Sequence, residues 1–285
     1  MGQVLPLLRR PAAGAALGGR FRWEEFQLSF EQHGPTDGPP LLLTHGILLE
    51  SSCNRDLALA LAAEGYRVIL LDLLGHGRSD KPGHAKWLRI DLFAEQIAAC
   101  LDHLGIAKAI IGGVSLGAIS SLHFAVARPE RVEALVLEMP VMERATPAAA
   151  LMLVPLMGAV RFGRPLLRGF SRVMRKLPEP RTNLWKTARN AVAQDPDDLA
   201  AILHGVLTGP VVPPRRERQR ISAPTLIIAH GGDWLHNLED ARVLAREIPK
   251  ARFVIARSML ELRLNPQRLL PKILRFLQAS GAAAA

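Results

Sequence analysis

At 285 residues, 49% of them hydrophobic, the chain is long enough to bury a sizeable core, either as one domain with an insertion or as two small domains. A net charge of +10 points to an anionic partner, yet aromatic residues are only 5%, too few for a base-stacking platform, so nucleic acid ranks behind a phospholipid surface or an acidic substrate. Apolar runs such as LLLTHGILL fall short of the roughly 18 to 20 residues of a membrane-crossing helix, and two cysteines, Cys53 and Cys100, give neither a disulfide framework nor metal-ligand spacing, so a reducing cytoplasm is expected.

Residues 1–19 read as a loose N-terminal arm. Four arginines (Arg9, Arg10, Arg20, Arg22) and no acid in the first 23 residues faintly resemble a transit peptide, but they follow the apolar VLPLL, the reverse of a secretory signal. Short apolar runs then alternate with longer helical patterns, which predicts strand-helix-strand units on a largely parallel sheet. The predicted strands are LLLTH, VILLD, AIIGG, ALVLE, TLIIA and FVIA; the predicted helices cover about 53–64, 90–104, 116–127, 238–247 and 266–278. Asn265 and Pro266 suit the cap and first turn of the last helix. From about Pro140 to Arg220 the alternation stops and Met, Leu, Pro and Arg dominate, before ISAPTLIIAH resumes it. The flanking halves are each too incomplete to bury a sheet alone, so the segment is an insertion. The expected organisation is an α/β core of 20–139 and 221–279, a mostly parallel doubly wound sheet, with a helical cap at 140–220 and a tail at 280–285.

The most specific motif is AIIGGVSLGA, where Gly113-Val114-Ser115-Leu116-Gly117 fits G-x-S-x-G directly after an apolar strand and directly before a helical pattern. A serine on so sharp a turn is held in a strained backbone, and glycines two positions to either side leave room for the backbones packed against it. Its hydroxyl stands exposed at the sheet edge, beside a helix N-terminus whose unpaired N–H groups favour a developing oxyanion. A glycine-rich turn without chemistry has the same five letters; the strand before and the helix after select the nucleophile reading.

Upstream, LLLTHGILLESS runs a strand into His45-Gly46, and VILLDLLGHGRSD ends a strand at Asp72 before a Gly-x-Gly turn. With the serine motif these segments resemble the α/β-hydrolase fold family over roughly residues 20 to 280, interrupted by the cap. The resemblance implies that the backbone N–H groups of Ile47 and Leu116 form an oxyanion hole. It implies no metal or organic cofactor.

In APTLIIAHGGDWLH, Asp233 stands nine residues after Pro224, a spacing that resembles the family's penultimate strand and its triad acid. Such a carboxylate fixes the imidazole tautomer and stabilises the imidazolium as it forms. A helix N-cap is the plainer role for Asp233, and Glu138, ending ALVLE, is an alternative acid because some relatives seat it there. The family's histidine follows the final strand; here that place, at or beside Met259 in VIARSMLELRLNP, is apolar. Only His236 comes after Asp233, so the order Ser, Asp, His survives only if His236 is the base. A loop histidine meeting the cap, solvent or substrate is the competing reading. His45, His76 and His123 are expected to be structural.

Within the cap, RPLLRGFSRVMRKL sets Leu166, Leu167, Phe170, Val173, Met174 and Leu177 at helical spacing, with Arg164, Arg168, Arg172 and Arg175 at intervals of four, four and three. This basic amphipathic helix could attract anionic lipid or an acidic head group. The plainer expectation is an apolar face lining the pocket and solvated arginines. A Met- and Leu-rich inner surface suits an acyl or alkyl group. The function expected is hydrolysis of carboxylic esters or related acyl bonds of an apolar small molecule, in the cytoplasm, with peripheral contact to an anionic membrane as a further possibility. The rivals are a catalytically silent relative binding a hydrophobic ligand, and the cofactor-free lyases and dioxygenases of this fold. Serine at 115, where haloalkane dehalogenases and epoxide hydrolases carry an aspartate, argues against an alkyl-enzyme mechanism.

Overall fold

The computed structural model of the chain describes residues 17–232 and 235–283. The first described elements form a hairpin, β1 (Leu17–Trp23) and β2 (Phe26–His33), paired antiparallel; β1 begins inside the segment read as an arm. There follow β3 (Pro40–Thr44), α1 (Arg55–Ala63), β4 (Arg67–Asp72), α2 (Ile90–His103), β5 (Ala109–Val114), α3 (Leu116–Ala127) and β6 (Val132–Glu138). Five helices come next: α4 (Thr146–Phe162), α5 (Arg164–Lys176), α6 (Asn183–Val192), α7 (Pro196–Thr208) and the short α8 (Arg215–Arg218). The sheet resumes with β7 (Thr225–His230), α9 (Leu238–Glu247), β8 (Ala251–Ala256), α10 (Glu261–Leu264) and α11 (Leu270–Ala279).

Among the described residues the sheet has eight strands in the order β1-β2-β4-β3-β5-β6-β7-β8, parallel from β4 to β8. The hairpin adds an antiparallel edge through β2 and β4. Because side chains alternate along a strand, each core strand serves two apolar layers. Leu42, Ile69, Ile111, Leu135 and Ile227 pack on one side with α2, α3 and α9, whereas Leu43, Leu70, Ile110, Val136 and Leu226 pack on the other with α1 and α11. This is the doubly wound α/β sheet that the sequence leads one to expect, and it sets β5 between β3 and β6.

Two local expectations are corrected. The helix expected from Pro266 opens as a 3-10 turn, Pro266–Arg268, and α11 starts only at Leu270, with no capping bond from Asn265. Pro271 is the cause: in an unbroken helix its ring would meet the carbonyl four residues back, but in α11 it occupies the first turn. Helix α5 forms where expected, but of its apolar edge Leu167 packs on the cap core while most of the rest turns outward. Arg164 and Arg168 pair with Asp197 of α7, and Arg175 donates to the carbonyl of Ala193 at 2.9 Å. Leu166, Phe170 and Val173 are exposed. Helices α4 and α7 already fill their shared interface with Leu153, Val160 and Leu203, so the arginine edge of α5, with its acidic and carbonyl partners, is the edge that docks.

Candidate active site

Strand β5 ends at Val114 and α3 begins at Leu116, leaving Ser115 alone on the turn at φ 53 and ψ −110. A non-glycine residue there carries strain of order 1–3 kcal/mol, which only a surrounding structure that over-determines it can hold. Here the Ser115 N–H donates to the Glu138 carbonyl at 2.8 Å, and its carbonyl accepts from Ile119 at 3.1 Å. The end of β3 is wedged beneath. A Cβ at Gly117 would lie 2.5 Å from the Thr44 carbonyl oxygen, and one at Gly113 would lie 2.7 Å from the same atom. The Gly117→Ala substitution must therefore push β3 and α3 apart. It is expected to cost about 1–3 kcal/mol of stability, read as a lower urea midpoint with unchanged slope; an unmoved midpoint would show that Thr44 yields freely.

On the other side of the serine runs the His45-Gly46-Ile47 turn, close enough that a Cβ at Gly46 would be 3.7 Å from the Ser115 Cβ. His45 holds this turn. Its Nε2 accepts from the Leu73 N–H at 3.0 Å, so Nδ1 carries the proton and donates to the Gly46 carbonyl at 2.9 Å. Burial pushes the His45 pKa down, which keeps that neutral form. Asp72 braces the neighbouring loops by accepting from the backbone N–H groups of Ser51 at 2.7 Å and Arg78 at 3.0 Å. Ile47 and Leu116 line one cavity together with Ser115. As the first residue of α3, Leu116 has an amide with no partner inside the helix.

The structure sets His236 beside the serine. The Nε2 of His236 lies 3.0 Å from the Ser115 Oγ, across 121 positions of sequence. His236 directly precedes Asn237, whose side chain accepts from the Glu239 N–H at 2.8 Å and caps α9. Asp240 of α9 accepts from the Ala145 N–H at 2.8 Å, which ties the same helix to the start of α4. With the proton on Nδ1, His236 accepts a hydrogen bond from the serine hydroxyl. Asp233 lies outside the described residues. Met259, in the place where the family's histidine is expected, is exposed. His76 Nδ1 meets the Leu74 carbonyl at 3.0 Å and His123 Nε2 the Val211 carbonyl at 3.3 Å, in keeping with structural roles.

Glu138, the alternative acid, is committed elsewhere. Its two carboxylate oxygens each accept from Arg263 Nη1 at 2.5 Å, and Arg263 Nη2 donates to Asn54 at 3.0 Å. All three residues are buried. The sequence reading did not single out Arg263. The signal for it in the sequence is an arginine between two leucines, Leu262 and Leu264, just after the last strand.

The cavity has a volume of about 210 Å³ and overwhelmingly apolar walls: Val141, Met152, Leu153, Val206 and Leu235 stand around Ser115. Helices α4 and α7 contribute to it, so the inserted segment closes over the serine. Among the described residues no group of three or more His, Cys, Asp or Glu side chains could hold a metal ion. Cys53 packs nearby with Val114 and Met139, and burial pushes its thiol up to about 11. At pH 8 only about one molecule in a thousand would carry the thiolate. Cys100 is likewise raised by burial. Both thiols are expected to resist iodoacetamide at pH 8 in the native protein and to react once it is denatured, as counted by mass spectrometry. Rapid native alkylation would contradict this packing.

A strained serine at the carboxyl edge of a parallel sheet, between a backbone turn and a histidine and under inserted helices, defines the architectural class of the α/β-hydrolases. The chain belongs to that family: its model, described as alpha/beta hydrolase fold, matches residues 39–258. Similar curated proteins include a haloalkane dehalogenase of Mycolicibacterium paratuberculosis, 31% identical over 43% of this chain and 42% of that protein. Another is lipase LipV of Mycobacterium tuberculosis, 36% identical over 39% of this chain and 40% of its own. Both matches span less than half of the relative's length. A thermophilic esterase from Thermogutta terrifontis superposes with a TM-score of 0.73 at 24% identity, covering 94% of this chain and 99% of its own, which bears on the fold alone.

Proposed function

We propose that the chain is a serine-dependent hydrolase of carboxylic esters or related acyl bonds with an apolar acyl group. The observation that carries this reading is the 3.0 Å approach of His236 Nε2 to Ser115 Oγ at an apolar cavity. Ser115 Oγ attacks the carbonyl carbon while its proton passes to His236 Nε2. The N–H groups of Ile47 and Leu116 receive the oxyanion. Collapse of the tetrahedral intermediate expels the alcohol, which takes the proton from His236 and leaves an acyl-serine. Water, deprotonated by His236, then attacks the acyl carbon and releases the carboxylate and free Ser115. Asp233 is the proposed partner that orients His236. Serine at position 115 supports an acyl intermediate over an alkyl-aspartate one, so the likeness to a haloalkane dehalogenase does not carry that chemistry over.

The test is a fluorophosphonate probe, which phosphonylates an activated serine. Stoichiometric labelling mapped to Ser115 is expected. Absence of labelling, together with a fatty ligand retained through purification, would replace this reading with that of a silent hydrophobic-ligand binder.

A further inference from the structure

Helix α4 is apolar on both faces. Its inner residues Met152 and Leu153 line the cavity, and Leu153 and Val160 pack on α7. Its outer residues Leu151, Val154 and Phe162 are exposed and share one face at helical spacing. A helix apolar all round is normally buried all round, but among the described residues the outer face of α4 has nothing packed on it. Helix α5 continues the surface: Arg164 and Arg168 pair with Asp197 of α7, and Leu166, Phe170 and Val173 face outward. The two helices meet at Gly163 with a bend of 92°. The most exposed apolar side chains of the pair flank that corner, Phe162 at 88% and Leu166 at 79%. An apolar surface of this kind on a water-facing helix pair marks a binding face.

Charge identifies the occupant. Between positions 144 and 178 the chain has seven basic residues and no acidic one. Three of them, Arg161, Arg172 and Lys176, are exposed beside the apolar residues. Outward apolar side chains edged by cations match an anionic bilayer surface, where apolar groups enter the acyl boundary to a depth of ~5–10 Å and cations meet lipid phosphates and carboxylates. A second copy of this strongly basic chain would bring like charge against like charge. Among the described residues no single helix is long and apolar enough to cross a membrane; α4 and α5 together match a span in length and composition, but they are bent by 92°. The inner side of α4 packs on α7 and α5 pairs with Asp197, so the face left for lipid is the outer one and the contact in question is one of surface insertion.

We propose that the α4–α5 corner docks on an anionic phospholipid membrane, with Phe162 and Leu166 inserted and Arg161, Arg172 and Lys176 engaging the head groups. The inference does not depend on Ser115 being a nucleophile, because its readout is binding. The outer face that meets lipid belongs to the same helix whose inner face lines the cavity, so docking would set the cavity wall against the bilayer.

The full chain is sedimented with phosphatidylcholine vesicles, with and without phosphatidylserine, at low and raised salt. Binding to the phosphatidylserine vesicles, weakened by salt, is expected. The double variant Phe162→Ser/Leu166→Ser should partition at least about tenfold more weakly, with an unchanged circular dichroism spectrum. The triple variant Arg161→Gln/Arg172→Gln/Lys176→Gln should lose the preference for phosphatidylserine, about fivefold per charge removed. The proposal is overturned if the wild type binds neither vesicle, or if the double variant binds as well as the wild type. It is equally overturned if light scattering shows a lipid-free dimer that this double variant abolishes.

Discussion

Alanine at position 115 is expected to lower ester turnover by about 10⁶, roughly 8 kcal/mol of barrier, because the only atom removed is the one proposed to bond to the acyl carbon. KM should move little, since the cavity walls Val141, Met152 and Val206 are untouched. Stability should also hold. Alanine is as strained as serine at φ 53, and the backbone bonds to Glu138 and Ile119 do not involve the side chain. A melting temperature equal to that of the wild type, with fluorophosphonate labelling gone, would assign the whole loss to chemistry. The decisive measurement is steady-state hydrolysis of p-nitrophenyl butyrate by wild type and variant side by side. Turnover within tenfold of wild type would mean that another group attacks the ester. Cys53 is a poor substitute, because its buried thiol is pushed up to about 11.

What could be read from the sequence followed how locally each feature is encoded. Strands β3 to β7 are near-continuous apolar runs ending at turn residues, and a strand buried on both faces has no other way to appear. The β1–β2 hairpin went unseen because its apolar residues, Phe21, Trp23, Leu28 and Phe30, occupy alternate places among charged and polar ones. Its pairing partner β4 lies far along the chain. The place of Ser115 between a strand and a helix was legible because a strand, a sharp turn and a helix start are adjacent in sequence and fix one another; Ile47, on the turn after β3, was named only through the family resemblance. The face of α5 was not. Amphipathic spacing states which residues share an edge, but whether the arginine or the leucine edge turns inward depends on Asp197 and the Ala193 carbonyl, and so on the packing of other helices. Glu138 could be named as a possible acid, but its ion pair with Arg263 joins positions 125 apart and has no local signature.

His236 was the other residue left open, since a loop side chain reaching across the sheet edge cannot be inferred from spacing alone. His236→Ala is expected to lower kcat by about 10⁴ to 10⁶, approaching the loss at Ser115, because nucleophile and base act as one unit and losing either removes their shared contribution. The double variant with Ser115→Ala should then be little worse than either single one. Two readouts separate a base from a merely structural residue. Fluorophosphonate labelling should slow with turnover, since it too requires the hydroxyl to lose its proton. Added imidazole should restore part of the activity, because the truncated side chain leaves room beside Ser115 at a cavity open to small molecules. A structural histidine behaves otherwise: its loss would loosen the Asn237 cap and α9, lower the melting temperature and gain nothing from imidazole. Should His236→Ala keep wild-type turnover, the 3.0 Å contact would be packing, and the search for a base would move to the loops on either side of it.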